Sequence, residues 1–200
     1  MNYTGPKVKI SRKLGISLTA KAGKITTSKP YPPGQHGNTK RRAKQSDFGR
    51  QLLEKQRLRL QYNISESQMV NYYKKATRLG GNTGSDLVML LETRLDAVVF
   101  RSGFARSIYS ARQIVGHGHV LVNGKRLNVP SYRVQVNDVV QIKEKSRNIE
   151  TVQDAIRHSA APAYLTVSKA DFSSKLNYAP VREDVPVQCE VPLVVEFYSR

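Results

Sequence analysis

The sequence predicts an α+β fold: a basic N-terminal arm, a helical domain, and a small αα-β module inserted into that domain. Three observations support this prediction. Apolar residues recur at helical spacing from Leu91 to Val115. Asn123-Gly124 then separates two apolar runs, which is a strong signal for a β-hairpin because both turn positions need positive φ. The first 45 residues, in contrast, are rich in cations and follow neither a strand nor a helix period.

The basic arm, residues 1–45, holds no acidic residue, and residues 1–60 carry 15 Lys and Arg against two Asp and Glu. We expect this arm to lack a core of its own and to order on a polyanion. The run Tyr31–Gly37, YPPGQHG, predicts a tight loop, because its prolines and glycines restrict the backbone. The arm residues expected to contact phosphate or base edges are Lys7, Lys9, Arg12, Lys13, Gln35 and His36.

The helical domain is predicted over residues 46–90 and is completed by the C-terminal tail, about 189–200. Ser46 is a suitable N-cap, and Ser65 with Gln68 forms a capping box for a second helix. Ser85 is expected to open a third helix. In the first helix we expect apolar positions inside, namely Phe48, Leu52, Leu53, Gln56 and Leu60. We expect its cations outside, namely Arg50, Lys55, Arg57 and Arg59.

The central module is predicted over residues 91–150. One apolar stripe includes Leu91, Leu95 and Val99, Gly103 ends that helix, and Ser107 caps the next one. Val134 and Val136 alternate like a strand, and Val139–Ile142 returns after the Asn137-Asp138 turn. Residues 151–188 are predicted as a helix and strand extension, with a helix capped by Thr151 and a strand at 164–167. We expect residues 194–198 to form a last strand or tail.

The polar side of the central module is basic. Residues 91–148 carry ten Lys and Arg against four Asp and Glu, and Arg94 and Arg101 lie two helical turns apart, which predicts a shared face. Several cations on one rigid support are typical of phosphate binding, whereas a single such helix is as often a solvated face. The residues expected on this surface are Arg94, Arg101, Arg106, Arg112, His117, Lys125 and Arg126.

These motifs resemble a known family. RLD at 94–96, SARQIV at 110–115 and GHVLVNGKRLNVPSYRV at 118–134 resemble the small RNA-binding module named after the fourth protein of the small ribosomal subunit. PGQHG at 33–37, SDFGRQLLEKQ at 46–56 and VVEFYSR at 194–200 resemble the ribosomal family itself, of bacterial or organellar type. The resemblance implies a structural ribosomal protein that binds rRNA early in assembly and clamps a multi-helix junction in the 5′ domain of small-subunit rRNA.

The resemblance also implies finer roles. Family members lie near the mRNA entry channel and affect translational accuracy, and the candidates here for touching incoming mRNA are Arg41, Arg42, Lys44 and Arg50. The fifth and third small-subunit proteins are the expected protein neighbours. Candidate residues for a protein interface are Leu53, Arg57, Phe197 and Tyr198. The expected location is the cytoplasmic ribosome, with an organellar stroma or matrix as the minor alternative.

Several classes are disfavoured. Cys189 is the sole cysteine, so neither an internal disulfide nor the cysteine-ligated zinc site of some family members is expected, and no cofactor motif occurs. No apolar run approaches the ~18 residues of a membrane span. An RNA-modifying enzyme with the same module, such as a pseudouridine synthase, would need a catalytic domain for which the chain has no room, so we expect no enzyme. A free regulatory RNA-binding protein acting on mRNA or stalled ribosomes remains the alternative.

Overall fold

The computed structural model describes residues 3–38, 46–157 and 160–200. Within those residues the helices and strands follow in this order: α1 (Lys7–Leu14), α2 (Ala20–Ser28), α3 (Asp47–Gln61), α4 (Glu66–Arg78), α5 (Thr83–Glu92), α6 (Leu95–Arg101), α7 (Ile108–Gly116), β1 (Val120–Val122), β2 (Lys125–Leu127), β3 (Val139–Ile142), α8 (Glu150–Arg157), β4 (Leu165–Ser168), β5 (Ser173–Leu176) and α9 (Val191–Tyr198). Helices and one antiparallel sheet coexist, which confirms the α+β fold class. The chain divides into two compact units, residues 1–84 with 187–200 and residues 85–186.

The N-terminal arm contains two helices, although its sequence follows neither a strand nor a helix period. Gly15 adopts the left-handed conformation at φ 68° and ends α1, and the side chain of Thr19 accepts a hydrogen bond from Ala22 N to cap α2. A few apolar residues around this turn, Leu14 and Leu18 among them, are buried between the helices. Local caps and a small apolar contact therefore accompany helix formation in a segment whose sequence shows no sustained period.

Helix α3 begins after Ser46, whose side chain caps it as predicted, but its buried face differs from the predicted one. Phe48 is 51% exposed, whereas Glu54 and Lys55 are only 5% and 7% exposed. Both charges have partners: Lys55 pairs with Glu66, and Glu54 accepts a hydrogen bond from the Glu190 backbone. Buried charges at helical spacing leave no apolar signal, which is why the stripe was misassigned.

The C-terminal segment is helix α9, so the prediction of a strand or tail at 194–198 was wrong. Pro192 lies in the first turn of this helix, where its missing N–H is tolerated. Val191 and Val194 are buried as the helix packs against α3. The β-branched residues of this segment favoured a strand locally, and packing within the first unit overrides that preference.

The second unit contains a five-stranded sheet in the order β2-β1-β3-β5-β4, with every neighbouring pair antiparallel. Asn123 and Gly124 have φ of 50° and 78°, which confirms the predicted hairpin turn. Val120 pairs with Ile142 and Val122 with Val140, and these four side chains form the buried side of the sheet. Residues 165–168 form the strand that was predicted at 164–167.

The junction of α5 and α6 departs from the predicted continuous stripe. The chain is extended at Arg94, and α6 begins only at Leu95. The Thr93 carbonyl accepts a hydrogen bond from Val134 N at 2.8 Å, and the Tyr132 carbonyl accepts one from Leu95 N at 2.9 Å. Residues 134–136 are therefore not a strand of the sheet, because this backbone pairs with the helix junction instead.

Smaller boundaries also shift. Ser107 caps α7 and the capping box of Ser65 with Gln68 is formed, as predicted. Helix α5 begins at Thr83, two residues before the predicted Ser85. Helix α8 begins at Glu150, so Thr151 lies inside the helix and is not its cap.

Candidate nucleic-acid interface

Helix α1 carries the cations predicted for the arm, and they behave differently from one another. Lys9 and Lys13 are exposed. The Nζ of Lys7 donates to the carbonyls of Tyr3 and Gly5 at 3.4 and 3.0 Å and lies 5.3 Å from the Tyr3 ring. Lys9 and Lys13 are thus presented to solvent, whereas Lys7 also helps to fix the chain that precedes its helix.

The loop Tyr31–Gly37 is closed by its own backbone. Gly37 N donates to the Gly34 carbonyl at 3.1 Å, and Gly34 has a φ of 108° that favours glycine. A Cβ on Gly37 would overlap the carbonyl oxygen of Pro32. Gln35 and His36 are both exposed at the tip of this loop. The loop is therefore shaped so that both candidate contact side chains face solvent.

Arg94 does not lie on the surface, and the prediction that it shares an exposed face with Arg101 was wrong. Arg94 is 1% exposed, and its Nε and Nη2 donate to Asp96 Oδ1 and Oδ2 at 2.9 and 2.7 Å. Arg112 Nη1 reaches the same Oδ2 at 3.4 Å, with its side chain 22% exposed. Burial raises the pKa of the Asp96 carboxyl, and the two guanidinium groups oppose that rise. Arg112, not Arg94, is the accessible cation of this cluster.

Arg101 also has a buried partner. Its Nη2 donates to Glu92 Oε1 at 2.7 Å, and the Tyr164 hydroxyl donates to Glu92 Oε2 at 3.1 Å. The Glu92 side chain is 0% exposed and that of Arg101 is 15% exposed. Burial raises the pKa of Tyr164, and the charge of Glu92 raises it further. Most of the Arg101 side chain is therefore used inside the second unit and little of it is open to a ligand.

A cluster of cations surrounds the start of the hairpin. Lys125, Arg126 and His117 are exposed, and the Arg126 guanidinium covers Gly118, where a Cβ would overlap it. His119 Nδ1 lies 2.8 Å from Ser146 Oγ, and its ring centroid is 5.9 Å from that of His117. We call His117, His119, Arg126 and Lys143 the hairpin cluster.

Electrostatics within the hairpin cluster favour the neutral form of His119. Burial lowers the pKa of His119, and the charges of His117, Lys143 and Arg126 lower it further. A polyanion placed against these groups would offset their mutual repulsion, since its phosphates supply the opposite charge. The arrangement can therefore bind phosphate.

Arg106 completes the exposed cations of the second unit. Its side chain is 58% exposed and forms an ion pair with Asp154 at the surface. Exposed pairs of this kind contribute little to stability, so the guanidinium can exchange its partner for a phosphate at small cost. Arg106 thus stands in contrast to Arg94, which the fold uses internally.

The protein-interface candidates of the first unit make contacts within that unit. The Tyr198 hydroxyl donates to Glu66 Oε1 at 2.5 Å. The ring of Phe197 packs on that of Phe48, with 5.7 Å between their centroids. Burial alone would raise the pKa of Glu66, but hydrogen bonds from Lys55 and Tyr198 outweigh it and lower that pKa. Burial and the Glu66 hydrogen bond raise the pKa of Tyr198.

Two further interface candidates lie on α3. Arg57 Nε donates to the Leu14 carbonyl at 2.7 Å, and its Nη1 pairs with Glu54. Leu53 is half-buried.

Among the mRNA-channel candidates, Arg50 is exposed on α3. The other three, Arg41, Arg42 and Lys44, lie outside the described residues.

The described parts of the chain contain neither a cluster of metal ligands nor a helix that could span a membrane. Residues 3–38, 46–157 and 160–200 bring no three His, Cys, Asp or Glu side chains together in a way that could hold a metal ion. Over those same ranges, every helix is too short or too polar to cross a bilayer.

Comparison with known proteins gives two family models that match consecutive parts of the chain. Residues 2–92 match the family model described as the ribosomal protein S4/S9 N-terminal domain, and residues 93–140 match the S4 domain. Curated relatives named small ribosomal subunit protein uS4 align along nearly their whole length. The Streptomyces avermitilis protein is 48% identical, covering 100% of this chain and 99% of its own, and that of Micrococcus luteus is 49% identical, covering 96% and 95%. The chain belongs to the uS4 family.

Membership in the uS4 family confirms two predictions. The resemblance read from the motifs is correct. The uS4 family consists of structural RNA-binding proteins, so the chain is not an enzyme.

Sequence reasoning about this uS4 family member missed some cations of the surface. Lys143 belongs to the hairpin cluster, and Lys145 and Arg147 follow it along a shallow groove beside Leu121 and Gln141. The signal was present as the run KEKSR at 143–147, but it lies after the last strand of the motif and carries an acid. The position of Lys143 beside His119 depends on the fold, in which Lys143 N donates to the His119 carbonyl at 2.9 Å.

Proposed function

We propose that this protein is a structural constituent of the small ribosomal subunit that binds rRNA directly and early in assembly. Its target is a multi-helix junction in the 5′ domain of the small-subunit rRNA. The observation that supports this most is a set of cations on successive parts of the second unit, of which Arg106, Lys125 and Arg126 are exposed and Arg112 is partly exposed. Arg112 lies on a helix, and Lys125 and Arg126 lie on a hairpin, whose apolar sides are buried, so the backbone that carries these cations is fixed before RNA arrives.

The mode of binding follows from the chemistry of these groups. Guanidinium and ammonium groups on helices and hairpins contact phosphates and riboses, which positions a protein on RNA by shape and not by sequence. The first unit adds Lys9 and Lys13 on α1 and the exposed Gln35 and His36. Neutralising about six to ten phosphates would make affinity fall by roughly 10³ to 10⁵ between low and moderate salt.

Finer roles within the ribosome belong to the same proposal. Arg50 is exposed and, with Arg41, Arg42 and Lys44 outside the described residues, is a candidate for contact with incoming mRNA. We propose contacts with the fifth and third small-subunit proteins through the region of Leu53, Arg57, Phe197 and Tyr198, and through them an influence on translational accuracy. The internal partners of Tyr198 and Arg57 mean that this region acts as a folded surface. The location we propose is the cytoplasmic ribosome, with an organelle as the alternative.

The test is binding to a 5′-domain junction fragment of small-subunit rRNA, compared with tRNA and a random duplex across a salt series. Preference for the junction in the presence of competitor RNA, weakened by Arg112→Ala and by Lys125→Ala/Arg126→Ala, is expected. A matched control is Lys169→Ala, an exposed cation just after β4. Equal binding to all three RNAs would contradict a primary rRNA-binding role.

A free regulatory RNA-binding protein is the second candidate, since the same surface could bind a structured mRNA. Sedimentation of cell extracts in sucrose separates the two. Cofractionation with small subunits is expected, and protein confined to the soluble fractions would favour the regulatory function.

A further inference from the structure

Arg12 was expected to contact phosphate, but its side chain is directed at the protein. Its Nε donates to the Tyr31 carbonyl at 3.2 Å, and its Nη2 donates to the Pro32 carbonyl at 3.4 Å. The guanidinium carbon lies 4.8 Å from the centroid of the Tyr31 ring. The planar guanidinium of Arg12 thus donates to the carbonyls of Tyr31 and Pro32 and stacks on the Tyr31 ring.

The Pro32 carbonyl connects Arg12 to the closed end of the loop. On one side it accepts the Arg12 hydrogen bond, and on the other it occupies the space that a Cβ on Gly37 would need. Gly37 N in turn bonds the Gly34 carbonyl at 3.1 Å. The loop Tyr31–Gly37 is therefore held from α1 at its start and by glycine at its end, with Gln35 and His36 exposed between them.

We infer that Arg12 is a positioning residue that holds this loop in the shape in which Gln35 and His36 meet RNA. The inference rests on the proposed rRNA binding. A loop fixed before binding loses less conformational freedom on the RNA, so less binding free energy is spent on ordering its side chains. Lysine cannot replace arginine here, because an ammonium lacks both the planar fork and the flat stacking face.

Arg12→Lys is the decisive variant, because it keeps the charge and removes the fork. We expect its affinity for the 5′-domain rRNA fragment to fall by roughly tenfold, the loss from two side chains that must now be ordered. The slope of log affinity against log salt should stay unchanged. The matched control is Lys13→Ala on the same turn of α1, where losing an exposed cation should reduce that slope by about 0.7 to 0.9.

A second variant tests the close approach of the Pro32 carbonyl to Gly37. Gly37→Ala should open the loop and lose affinity to a similar degree, again with an unchanged slope. The double variant Arg12→Lys/Gly37→Ala should lose no more than the weaker-binding single variant, since both act on one structure. Additive losses, or an Arg12→Lys protein that binds like wild type, would overturn the inference and return Arg12 to the role of a simple cation.

A readout without RNA separates this inference from the proposed function. Hydrogen exchange of the Gly37 amide should be faster in Arg12→Lys than in Lys13→Ala, because that amide closes the loop. Equal exchange in the two variants would refute the role of Arg12 in holding the loop, whatever the RNA results are. A wild-type protein that does not prefer the rRNA fragment would instead overturn the proposed function. The exchange comparison would still test whether Arg12 holds the loop.

Discussion

The hydroxyl of Tyr164 donates to Oε2 of Glu92 at 3.1 Å, and the Glu92 side chain is 0% exposed. The pair joins the segment before β4 to the end of α5. Arg101 bonds the other carboxylate oxygen, so the buried charge has a cationic partner as well as a neutral donor. Such a network contributes to stability only while every member is present, because a buried carboxylate without partners is costly.

Two substitutions in this network should therefore lower the free energy of unfolding by different amounts. Tyr164→Phe removes one donor and keeps the ion pair, so we expect a loss of about 1 kcal/mol of unfolding free energy. Arg101→Ala leaves Glu92 buried without its cation and should cost about 3 to 5 kcal/mol. Thermal unfolding followed by circular dichroism measures both, and about 1 kcal/mol corresponds to about 2 to 4 °C for a chain of this size. Equal losses would show that the ion pair is not the larger contribution.

The Asn123-Gly124 turn gives a second prediction. Asn123 combines a φ of 50° with two side-chain bonds: its Oδ1 accepts from Val139 N at 2.9 Å and its Nδ2 donates to Asp138 at 2.8 Å. Asn123→Gly keeps the backbone conformation and loses the bonds, whereas Asn123→Ala loses both. We expect the alanine variant to be less stable than the glycine variant by about 1 kcal/mol, measured by thermal unfolding. The reverse order would mean that chain entropy outweighs backbone strain at this turn.

The sequence specified those features whose causes are local. Ser46, Ser65 and Ser107 cap helices, and Asn123-Gly124 turns a hairpin, because each depends on residues within three or four positions. These predictions were correct for that reason. Each of these three caps also gave the start of its helix.

Features that depend on how the chain packs were not predictable. Lys55 appeared to be a surface cation, but Glu66, eleven residues away, pairs with it beneath α9 residue Phe197, whose ring lies 4.9 Å from the Lys55 ammonium. Arg94 appeared to line an RNA surface, but Asp96 holds it inside. No sequence period distinguishes a solvated arginine from one neutralised by a neighbour, and only packing decides between them.

The hairpin cluster predicts how stability depends on pH. The pKa of His119 lies below its ordinary value of 6.5, because burial and the charges of His117, Lys143 and Arg126 disfavour the imidazolium. As the pH falls through that value the unfolded chain binds more protons than the folded one, so unfolding free energy falls. His119→Gln should therefore show a smaller loss of melting temperature than wild type between about pH 7.5 and about pH 5.5.

The matched control for this pH experiment is His36→Gln, which removes an exposed loop histidine. It should change the dependence of melting temperature on pH less than His119→Gln does, because it leaves in place the burial and the neighbouring charges that lower the pKa of His119. A pH profile of His119→Gln that superimposes on wild type would show that another group controls acid stability.

Arg94 and Arg106 should separate folding from RNA binding within one module. Arg94→Ala leaves Asp96 with one partner fewer in the interior and should cost about 3 to 5 kcal/mol of unfolding free energy. Arg106→Ala breaks only a surface pair with Asp154 and should change stability by less than about 1 kcal/mol. For RNA the order reverses: Arg106→Ala should reduce the salt slope of binding by about 0.7 to 0.9, as expected for one lost phosphate contact.

The salt slope is the informative measurement for Arg94, because a destabilised protein also binds less RNA simply by being partly unfolded. Binding measured well below the melting temperature of the variant avoids that effect, and the folded fraction of Arg94→Ala should then show the wild-type slope. A reduced slope would mean that Arg94 leaves Asp96 and reaches phosphate when RNA is present. Arg112, which shares the Asp96 Oδ2 at 3.4 Å, would then take over that carboxylate.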